Sequence, residues 1–429
     1  DLGVDQAQAM DRGGPDLTAS TDSSPDDLLA RDRGYQDMAC QPESDAQFCS
    51  RNQAECDELE AKDNCGKARK VTCGSCNAPL TCGGGGTANV CGFANGNWAT
   101  QIVDSQGHVG RNVALALDNN DVAHVAYQDT TSTVALKHAL LQGGTWTTAA
   151  LDSGPLAAEY LDIAVTPAGA VHIAARRGGQ PTLWTRGAPW SAETIHTFGG
   201  RHVALTVDST GKLHLCHGDS RGELLLYSVE GRSGWSTETI RGKALSGQPL
   251  GAYCDLAVDA SGGVHVSYEN SNWQRLGYAF KPSGGSWKNE DAAKAPQGKV
   301  GSYTSITLDS AGKPLISYFR LVDKTIALAR RGTSAASWSS EIVDSTGIIA
   351  AHTSLALDSA GAPHLSYFDS TLGAVRYAVK QGSAWSKETV AVVGSGTGGF
   401  NDLAVDSGGK AHLVFYNAIA KRLEYATQK

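Results

Sequence analysis

The chain has 429 residues, with 50 Gly, 13 Pro, nine Trp and a formal charge of −8. This length suits several domains or one large repeat fold, and the glycine content predicts many turns and few long helices. The charge argues against a nucleic-acid groove, which needs a basic face, and no run approaches the roughly 18 apolar residues of a membrane span. The first residues, DLGVDQ, contain no Met and no signal-like apolar core, which predicts a processed, mature form.

Residues 1–39 are predicted to form an acidic, extended tether. They contain nine Asp and three Arg, and interspersed Gly, Ser and Pro prevent a core from forming. A calcium-binding segment is the alternative, but the Asp spacing lacks the compact oxygen cage of a known calcium loop. The composition resembles the spacer that follows the lipid-modified Cys of bacterial surface lipoproteins, which implies a lipid anchor upstream of Asp1.

Residues 40–92 are predicted to form a disulfide-rich module, because eight of the ten cysteines lie there among few large apolar residues. Four bridges of unknown connectivity are expected. A zinc site is the alternative interpretation of these cysteines, but a single CxxC with no nearby His favours disulfides. The segment, with its DNCG and TCGGGG, resembles Cys-rich modules on secreted proteins of myxobacteria, which implies an accessory, wall- or carbohydrate-associated role. The predicted disulfide residues are Cys40, Cys49, Cys56, Cys65, Cys73, Cys76, Cys82 and Cys91.

Residues 97–429 are predicted to form a seven-bladed β-propeller, so that the fold class is all-β. A Trp opens the fourth strand of each repeat at intervals of 44 to 52 residues, a spacing typical of four-stranded blades. The chain starts this region with a lone fourth strand and ends after a third strand, so the N-terminal strand should complete the last blade and close the ring. The Trp positions are Trp98, Trp146, Trp190, Trp235, Trp287, Trp338 and Trp385.

Six of the seven repeats carry Asp in the first turn, with Thr166 as the exception, and six carry His in the second strand six residues later, with Leu315 as the exception. Both are interpreted as structural residues that hydrogen-bond within their own blade, and no metal site is predicted there. The repeat W-x-x-E … SLALDSxGxPHLSY … LxYA resembles bacterial extracellular propeller repeats, distantly similar to sialidase and lectin propellers. The strict sialidase Asp-box, S-x-D-x-G-x-T-W, is not found. Cys216 and Cys254, in the second strand of blade 3 and the first strand of blade 4, either bridge adjacent blades or remain two buried thiols.

The candidate ligand-binding face is where the repeats stop being uniform. At the start of the first strands most blades place an aromatic ring or an imidazole near the central opening; the residues are Asn112, Tyr160, His202, Tyr253, Tyr303, His352 and Phe400. At the end of the second strands lie charged and amide side chains; the residues are Asp129, Arg177, Asp219, Asn270, Arg320, Asp369 and Asn417. Aromatic faces beside such groups suit sugars, whereas ordinary turn and strand-end chemistry is the competing explanation.

The sequence therefore predicts a secreted or surface-tethered bacterial recognition protein that binds a glycan or a cell-surface polysaccharide, without a cofactor. The alternative is a structural protein that assembles with itself or with another extracellular protein. A weaker alternative is a glycoside hydrolase or lyase, for which clustered Arg residues and a Tyr–Glu pair such as Tyr160–Glu159 are candidates. Alternation of side chains along a strand argues against that pair, and no catalytic motif appears, so no catalytic residue is predicted.

Overall fold

The structure is a computed structural model that describes residues 40–429, except 77–80, 84–88, 90, 93–96, 132–134, 153–158, 188, 198, 220, 243–249, 271–273, 333–336, 348–351 and 395–398. The predicted tether, residues 1–39, lies outside the described residues. No helix in the described part of the chain is long and apolar enough to cross a membrane.

The segment before the propeller contains one short helix and two small hairpins. Helix α1 spans Asp45–Arg51 and begins with a capping box, in which Ser44 and Gln47 satisfy each other's backbone N–H groups. The strands are β1 (Glu58–Lys62), β2 (Ala68–Thr72), β3 (Thr81–Cys82) and β4 (Cys91–Gly92). Three bridges hold this segment, and Cys76 is disulfide-bonded as well. The three bridges are Cys40–Cys65, Cys49–Cys73 and Cys56–Cys82.

The rest of the chain forms seven four-stranded antiparallel sheets, which confirms the predicted seven-bladed propeller. In every blade the first strand contacts the first strands of the neighbouring blades and therefore lies innermost. Written from inner to outer strand, blade 1 is β6 (Val109–Leu117), β7 (Ala123–Asp129), β8 (Ala135–Gln142) and β9 (Thr145–Asp152); blade 2 is β10 (Glu159–Val165), β11 (Val171–Arg177), β12 (Gln180–Thr185) and β13 (Ser191–Thr194); and blade 3 is β14 (Arg201–Val207), β15 (Leu213–Gly218), β16 (Leu225–Gly231) and β17 (Gly234–Arg241). Blade 4 is β18 (Leu250–Val258), β19 (Val264–Asn270), β20 (Arg275–Lys281) and β21 (Lys288–Ala293), and blade 5 is β22 (Val300–Leu308), β23 (Pro314–Arg320), β24 (Thr325–Arg331) and β25 (Trp338–Asp344). Blade 6 is β26 (Ser354–Leu357), β27 (Pro363–Asp369), β28 (Ala374–Gln381) and β29 (Ala384–Val392), and blade 7 is β30 (Asn401–Val405), β31 (Ala411–Asn417), β32 (Arg422–Gln428) and β5 (Trp98–Asp104).

The N-terminal strand β5 closes the ring, as the sequence predicts. It pairs with β32, the last strand of the chain, and becomes the outer strand of blade 7. The indole N–H of Trp98 donates to Glu388 of blade 6 at 2.8 Å, and its ring packs edge-on against Tyr377 at 5.0 Å. Because this strand comes from the opposite end of the propeller sequence, the seam is sealed by a complete set of ladder hydrogen bonds.

The W-x-x-E motif joins neighbouring blades. Five of the seven Trp residues of this type donate the indole N–H to the acidic or amide residue three positions after the Trp of the preceding blade. For example, Trp287 donates to Glu238 at 3.1 Å. The further pairs among the described residues are Trp146–Gln101, Trp235–Glu193, Trp338–Glu290 and Trp98–Glu388. Ala149 stands at that position before Trp190, and the indole nitrogen of Trp385 has no hydrogen-bond partner among the described residues.

The repeated Asp and His are structural residues, as predicted. Asp208 accepts hydrogen bonds from the backbone N–H groups of Thr210 and Lys212, which fixes the first turn of blade 3. His214 lies 3.2 Å from Asp208 through Nε2 and 2.6 Å from the hydroxyl of Tyr227 through Nδ1. Because a carboxylate only accepts, Nε2 carries the proton and Nδ1 accepts from the phenol. The same arrangement recurs around His265, His364 and His412.

The apolar core is divided among the blade interfaces. Seven apolar clusters occur in the described part of the propeller, and each one combines residues of two neighbouring blades. The blades are therefore held by interfaces between them, and the axis of the propeller is left for side chains of the innermost strands.

Candidate functional site

A cavity of about 690 Å³ lies on the propeller axis, at the end of the channel where the innermost strands begin. This volume falls within the range of small-molecule sites. Seven residues, one from each blade, form what we call the inner ring, and all are partly exposed to the cavity. The inner ring consists of the first predicted set, Asn112, Tyr160, His202, Tyr253, Tyr303, His352 and Phe400.

The inner ring has a backbone conformation that bulky residues rarely adopt. Six of its members have a left-handed φ, from 44° at Asn112 to 54° at Tyr253, and Phe400 follows Gly399 at φ 32°. In blades 1 to 5 the pairing of the first two strands is interrupted at this point by a bulge or irregularity. Such strain persists only where the surrounding structure imposes it, and it is concentrated at functional sites.

The bulge bears on an expectation from strand alternation. Glu159 and Tyr160 are sequence neighbours, and in a regular strand their side chains would lie on opposite faces. Both residues are among those that line the cavity, and the pairing of β10 with β11 shifts register between Glu159 and Asp162.

Five successive ring contacts run around the axis. Centroid distances are 4.3 Å for Tyr160–His202, 4.4 Å for His202–Tyr253 and 4.1 Å for Tyr253–Tyr303. They continue at 4.8 Å to His352 and 4.7 Å to Phe400, with neighbouring rings tilted by 42° to 53° throughout. Because each ring packs against the next one, neighbouring rings partly cover each other's faces. The hydroxyl and imidazole groups are then the parts of these side chains that can contact a ligand.

The two imidazoles of the inner ring and Tyr253 are neutral near pH 7. Burial, with smaller effects from Arg201 and His352, lowers the pKa of His202 to about 3, and burial lowers the pKa of His352 to about 4. Burial and a hydrogen bond with Tyr303 raise the pKa of Tyr253 above its usual value. A general base works best with a pKa near the working pH, so these groups suit hydrogen bonding better than proton transfer.

Two residues further along the innermost strands, three carboxyl groups line the deep part of the cavity. Each bonds the backbone N–H of the next blade: Asp162 accepts from Leu205 at 2.7 Å, and Asp255 accepts from Ile306 at 2.8 Å. Asp402 makes the same contact from blade 7 to blade 1. Burial raises the pKa of Asp255 to about 6, and it also raises the pKa values of the other two carboxyls.

Directly after the inner ring, matched polar pairs cross four of the blade interfaces. A residue in the second strand of one blade contacts the residue that follows the inner-ring member of the next blade. We call these four interfaces the polar arc; their pairs are the disulfide Cys216–Cys254 and the hydrogen-bonded pairs Ser267–Thr304 at 3.0 Å, Ser317–Thr353 at 2.7 Å and Ser366–Asn401 at 2.6 Å.

In the polar arc the same residues also hold the backbone of the inner ring. Thr304 donates to the carbonyl of Tyr253 at 2.6 Å, and Thr353 donates to the carbonyl of Tyr303 at 2.9 Å. Asn401 donates to the carbonyl of His352 at 3.1 Å. The polar arc therefore fixes the left-handed backbone from which these side chains project.

The remaining three interfaces use apolar pairs at the same positions, and we call them the apolar arc. Each pair belongs to the apolar cluster of its interface. The pairs are Val414–Val113 between blades 7 and 1, Ala126–Leu161 between blades 1 and 2, and Ala174–Val203 between blades 2 and 3.

The second predicted set does not line the cavity. Asp219 accepts from the backbone N–H groups of Glu223 and Leu224, and Asp129, Asp369 and Asn417 fix the turns after their own strands in a similar way. The two arginines of the set bind nearby carboxylates, in the pairs Arg177–Asp152 and Arg320–Asp323.

Asn270, the remaining member of the second set, is fully buried, and its amide O and N have no hydrogen-bond partner among the described residues. The position of the whole set at strand ends was predicted correctly, but most of its polar atoms are used by turns and ion pairs.

Charge at the mouth of the cavity is confined to one sector. Glu159 and Arg201 line the cavity, and Glu159 forms an ion pair with Arg176. The side chain of Arg201 is exposed and makes no hydrogen bond or ion pair with any described residue. The one group of metal-ligand type in the described residues, Cys56, Cys76 and Cys82, consists of disulfide-bonded sulfurs.

Comparisons with known proteins show a shared architecture. No protein-family model matches the chain, and no curated protein matches it by sequence. The structure of an ulvan lyase, a polysaccharide lyase, aligns over 76% of this chain and 95% of its own, with a TM-score of 0.54 and 11% identity. The same enzyme bound to -[GlcA(1-4)Rha3S]- gives a TM-score of 0.53 over the same shares of both chains, again at 11% identity.

AofleA from Arthrobotrys oligospora aligns over 73% of this chain and 94% of its own, with a TM-score of 0.47 and 12% identity. At these identities the likeness extends to the fold alone. The chain is thus similar in architecture to β-propellers that include a carbohydrate-active enzyme.

Proposed function

We propose that the protein is a non-catalytic recognition protein that binds a glycan in the axial cavity, with the inner ring as its contact surface. The observation that carries the proposal is the inner ring itself: six adjacent aromatic or imidazole side chains, five of them on left-handed backbone, around a cavity of about 690 Å³. Neutral phenol, imidazole and amide groups at fixed positions match the many hydroxyl groups of a sugar.

At the inner ring, recognition is favoured over catalysis because of the protonation states of its two imidazoles and of Tyr253. An imidazole with a pKa of about 3 or 4 binds a proton too weakly to act as a base near pH 7. A tyrosine whose pKa is raised does not supply a phenolate there either. Asp255, with a pKa of about 6, uses both carboxyl oxygens to accept hydrogen bonds from the backbone N–H groups of Leu256 and Ile306. The second predicted set is not needed for this proposal, because its side chains lie outside the cavity.

The proposed setting is extracellular. Disulfide bonds are typical of oxidising compartments, and the described chain contains bridges both before and within the propeller. We further propose that residues 40–92 are an accessory module and that residues 1–39 tether it to the bacterial surface.

A glycan array probed with the full-length chain tests the proposal, using immobilised oligomers of neutral hexoses, N-acetylhexosamines and uronates. The test variant is Tyr303→Asn, because Asn112 occupies the same left-handed position in blade 1 and removes the ring without new backbone strain. The control is Leu321→Asn, which removes an apolar side chain that is 50% exposed and lies outside the cavity.

We expect the wild type and the Leu321 variant to bind one class of oligomer equally well. The Tyr303 variant should bind it roughly tenfold or more weakly, which corresponds to at least about 1.4 kcal/mol. Equal binding by all three proteins contradicts the proposed site. No binding by a folded wild-type chain, with concentration-dependent assembly in light scattering, would favour a structural protein instead.

A further inference from the structure

The Cys216–Cys254 disulfide is the one covalent link between blades in the described part of the propeller. It joins β15 of blade 3 to β18 of blade 4. Cys254 directly follows Tyr253 of the inner ring, and its sulfur lies 3.1 Å from the carbonyl oxygen of His202, the inner-ring residue of blade 3. The bond therefore lies against two consecutive members of the inner ring.

This disulfide occupies the position where the next three interfaces have hydrogen-bonded pairs. Those pairs also place a side-chain atom against the carbonyl of the preceding inner-ring residue, as Thr304 does for Tyr253. Ala204 stands where Asp255 bonds the backbone of the next blade, so the innermost strands of blades 3 and 4 lack that carboxyl bond among the described residues. The geometry between His202 and Tyr253 thus depends on the disulfide more than other parts of the polar arc depend on any single pair.

Cys254 is the half of the bond nearer to the cavity. It is among the residues that line the cavity and is 6% exposed, whereas Cys216 is fully buried. An external thiolate that enters through the cavity therefore meets Cys254 before Cys216.

We propose that Cys216–Cys254 is a thiol–disulfide exchange site whose state sets the geometry of the inner ring and, with it, the affinity for glycan. The part about affinity rests on the proposed function. The co-reactant is a small dithiol. One of its thiolates attacks the sulfur of Cys254, the bond between the two cysteines breaks, and Cys216 leaves as a thiolate. The second thiol of the reagent then displaces Cys254, so two electrons reach the protein, both cysteines take up protons and the dithiol becomes a disulfide.

Thiol–disulfide exchange changes the geometry of the inner ring because the sulfurs of two thiols cannot stay at the distance of a disulfide bond. Sulfurs in van der Waals contact lie roughly 1.5 Å further apart than bonded sulfurs. The surrounding interface is a closely packed cluster that includes Tyr227, Val266 and Tyr268, all nearly or fully buried. Strands β15 and β18 must therefore separate where they meet the cavity, and His202 moves relative to Tyr253.

The experiment compares oxidised and dithiothreitol-treated full-length protein on the glycan array described above. Alkylation and mass spectrometry of parallel samples report whether Cys216 and Cys254 are open. The control variant is Cys216→Ser/Cys254→Thr, which installs the pair that blades 4 and 5 use. A second control is Cys216→Ala/Cys254→Val, which installs the pair of blades 2 and 3. Both controls retain the disulfides of residues 40–92, so effects of reducing those bonds appear in all three proteins.

We expect opening of the bond to weaken binding by the wild type roughly tenfold, or about 1.4 kcal/mol. Neither control should respond to dithiothreitol. An unchanged affinity in wild-type protein whose Cys216 and Cys254 are shown to be open overturns the proposal. An equal loss in all three proteins also overturns it, because the effect then arises in the N-terminal disulfides.

Hydrogen exchange separates this proposal from the proposed function. Reduction should accelerate exchange of the amides near His202 and Tyr253 in the wild type but not in the Ser/Thr variant. If no oligomer binds in either redox state, the proposed function fails, while the exchange rates still decide whether the bond holds the inner ring. Unchanged exchange rates after verified opening contradict that role.

Discussion

The polar arc and the apolar arc perform the same task in the propeller with different chemistry. In the apolar arc, pairs such as Val414–Val113 exclude water but impose no direction on the backbone. In the polar arc, Thr304 and its counterparts bond the facing blade and the carbonyl of an inner-ring residue at once. A blade interface can be closed by apolar packing alone, whereas a bulky residue at left-handed φ is additionally held by directed bonds.

This difference suggests a division within the inner ring. His202, Tyr253, Tyr303 and His352 have carbonyls that are contacted by the next blade, and they are the four central members of the series of ring contacts. The charged residues Glu159 and Arg201 belong to blades 2 and 3. The ordered part of the site and its charged part therefore meet at blade 3.

The largest effect should come from deleting a polar-arc side chain. Asn401→Ala removes the partner of Ser366 and the donor to the carbonyls of His352 and Gly399. We expect a loss of about 3–4 kcal/mol in the free energy of unfolding, because buried polar groups lose their partners. The apolar-arc counterpart, Val113→Ala, should cost about 1–2 kcal/mol. Denaturant unfolding measures both, and equal losses would remove the distinction between the arcs.

Carboxyl groups deep in the cavity occur in both arcs. In each arc they should make the free energy of unfolding depend on pH in the same direction. Burial raises the pKa of Asp255 from 3.8 to about 6, so the folded protein holds this proton more tightly than the unfolded chain. Its contribution to stability is thus present below about pH 4 and is lost as the pH rises through about 6, by about 2–3 kcal/mol.

Asp255→Asn should remove this dependence, apart from a constant offset due to its altered hydrogen bonds. Asp162→Asn, in the apolar arc, should act in the same direction, because burial also raises the pKa of Asp162. Unfolding free energies between pH 4 and pH 7 measure the effect. The same pH dependence in either variant as in the wild type contradicts the assignment.

A smaller effect should follow from transferring the polar pair into the apolar arc. Ala174→Ser alone places a hydroxyl against Val203 in a buried apolar cluster, and we expect a loss of about 1–2 kcal/mol. Adding Val203→Thr supplies a partner for that hydroxyl, so the double variant should recover about 1 kcal/mol. A double-mutant cycle gives the coupling energy. Zero coupling would mean that the two arcs differ in backbone geometry as well as in side chains.

The fold was predictable because its determinants repeat along the chain. The spacing of the Trp residues predicted the number of blades. The single strand that begins with Trp98, before the first complete set of four strands, predicted how the ring closes. The members of the inner ring were predicted near the central opening because they differ between blades at an otherwise constant strand position; ligand binding by them stays a prediction.

The connections between blades were not predictable in the same way. The partnership of Ser366 with Asn401 depends on which positions of neighbouring blades face each other, and a single repeat carries no information about this. The left-handed φ of Tyr253 was also hidden, because Gly and Asn are the usual signals of that conformation. The role of Asp219 as a turn residue was one of two alternatives that composition alone left open.

The closure of the ring by β5 has a consequence for biosynthesis. The strand is synthesised before any blade, but its partner β32 is among the last residues of the chain, and the N–H of Lys429 finally bonds the carbonyl of Asn97. A nascent chain therefore carries an unpaired strand edge until β32 has been synthesised, and such edges promote aggregation. The pairing of β5 with β32 joins the two most distant strands of the propeller, so a chain without β32 has two open edges.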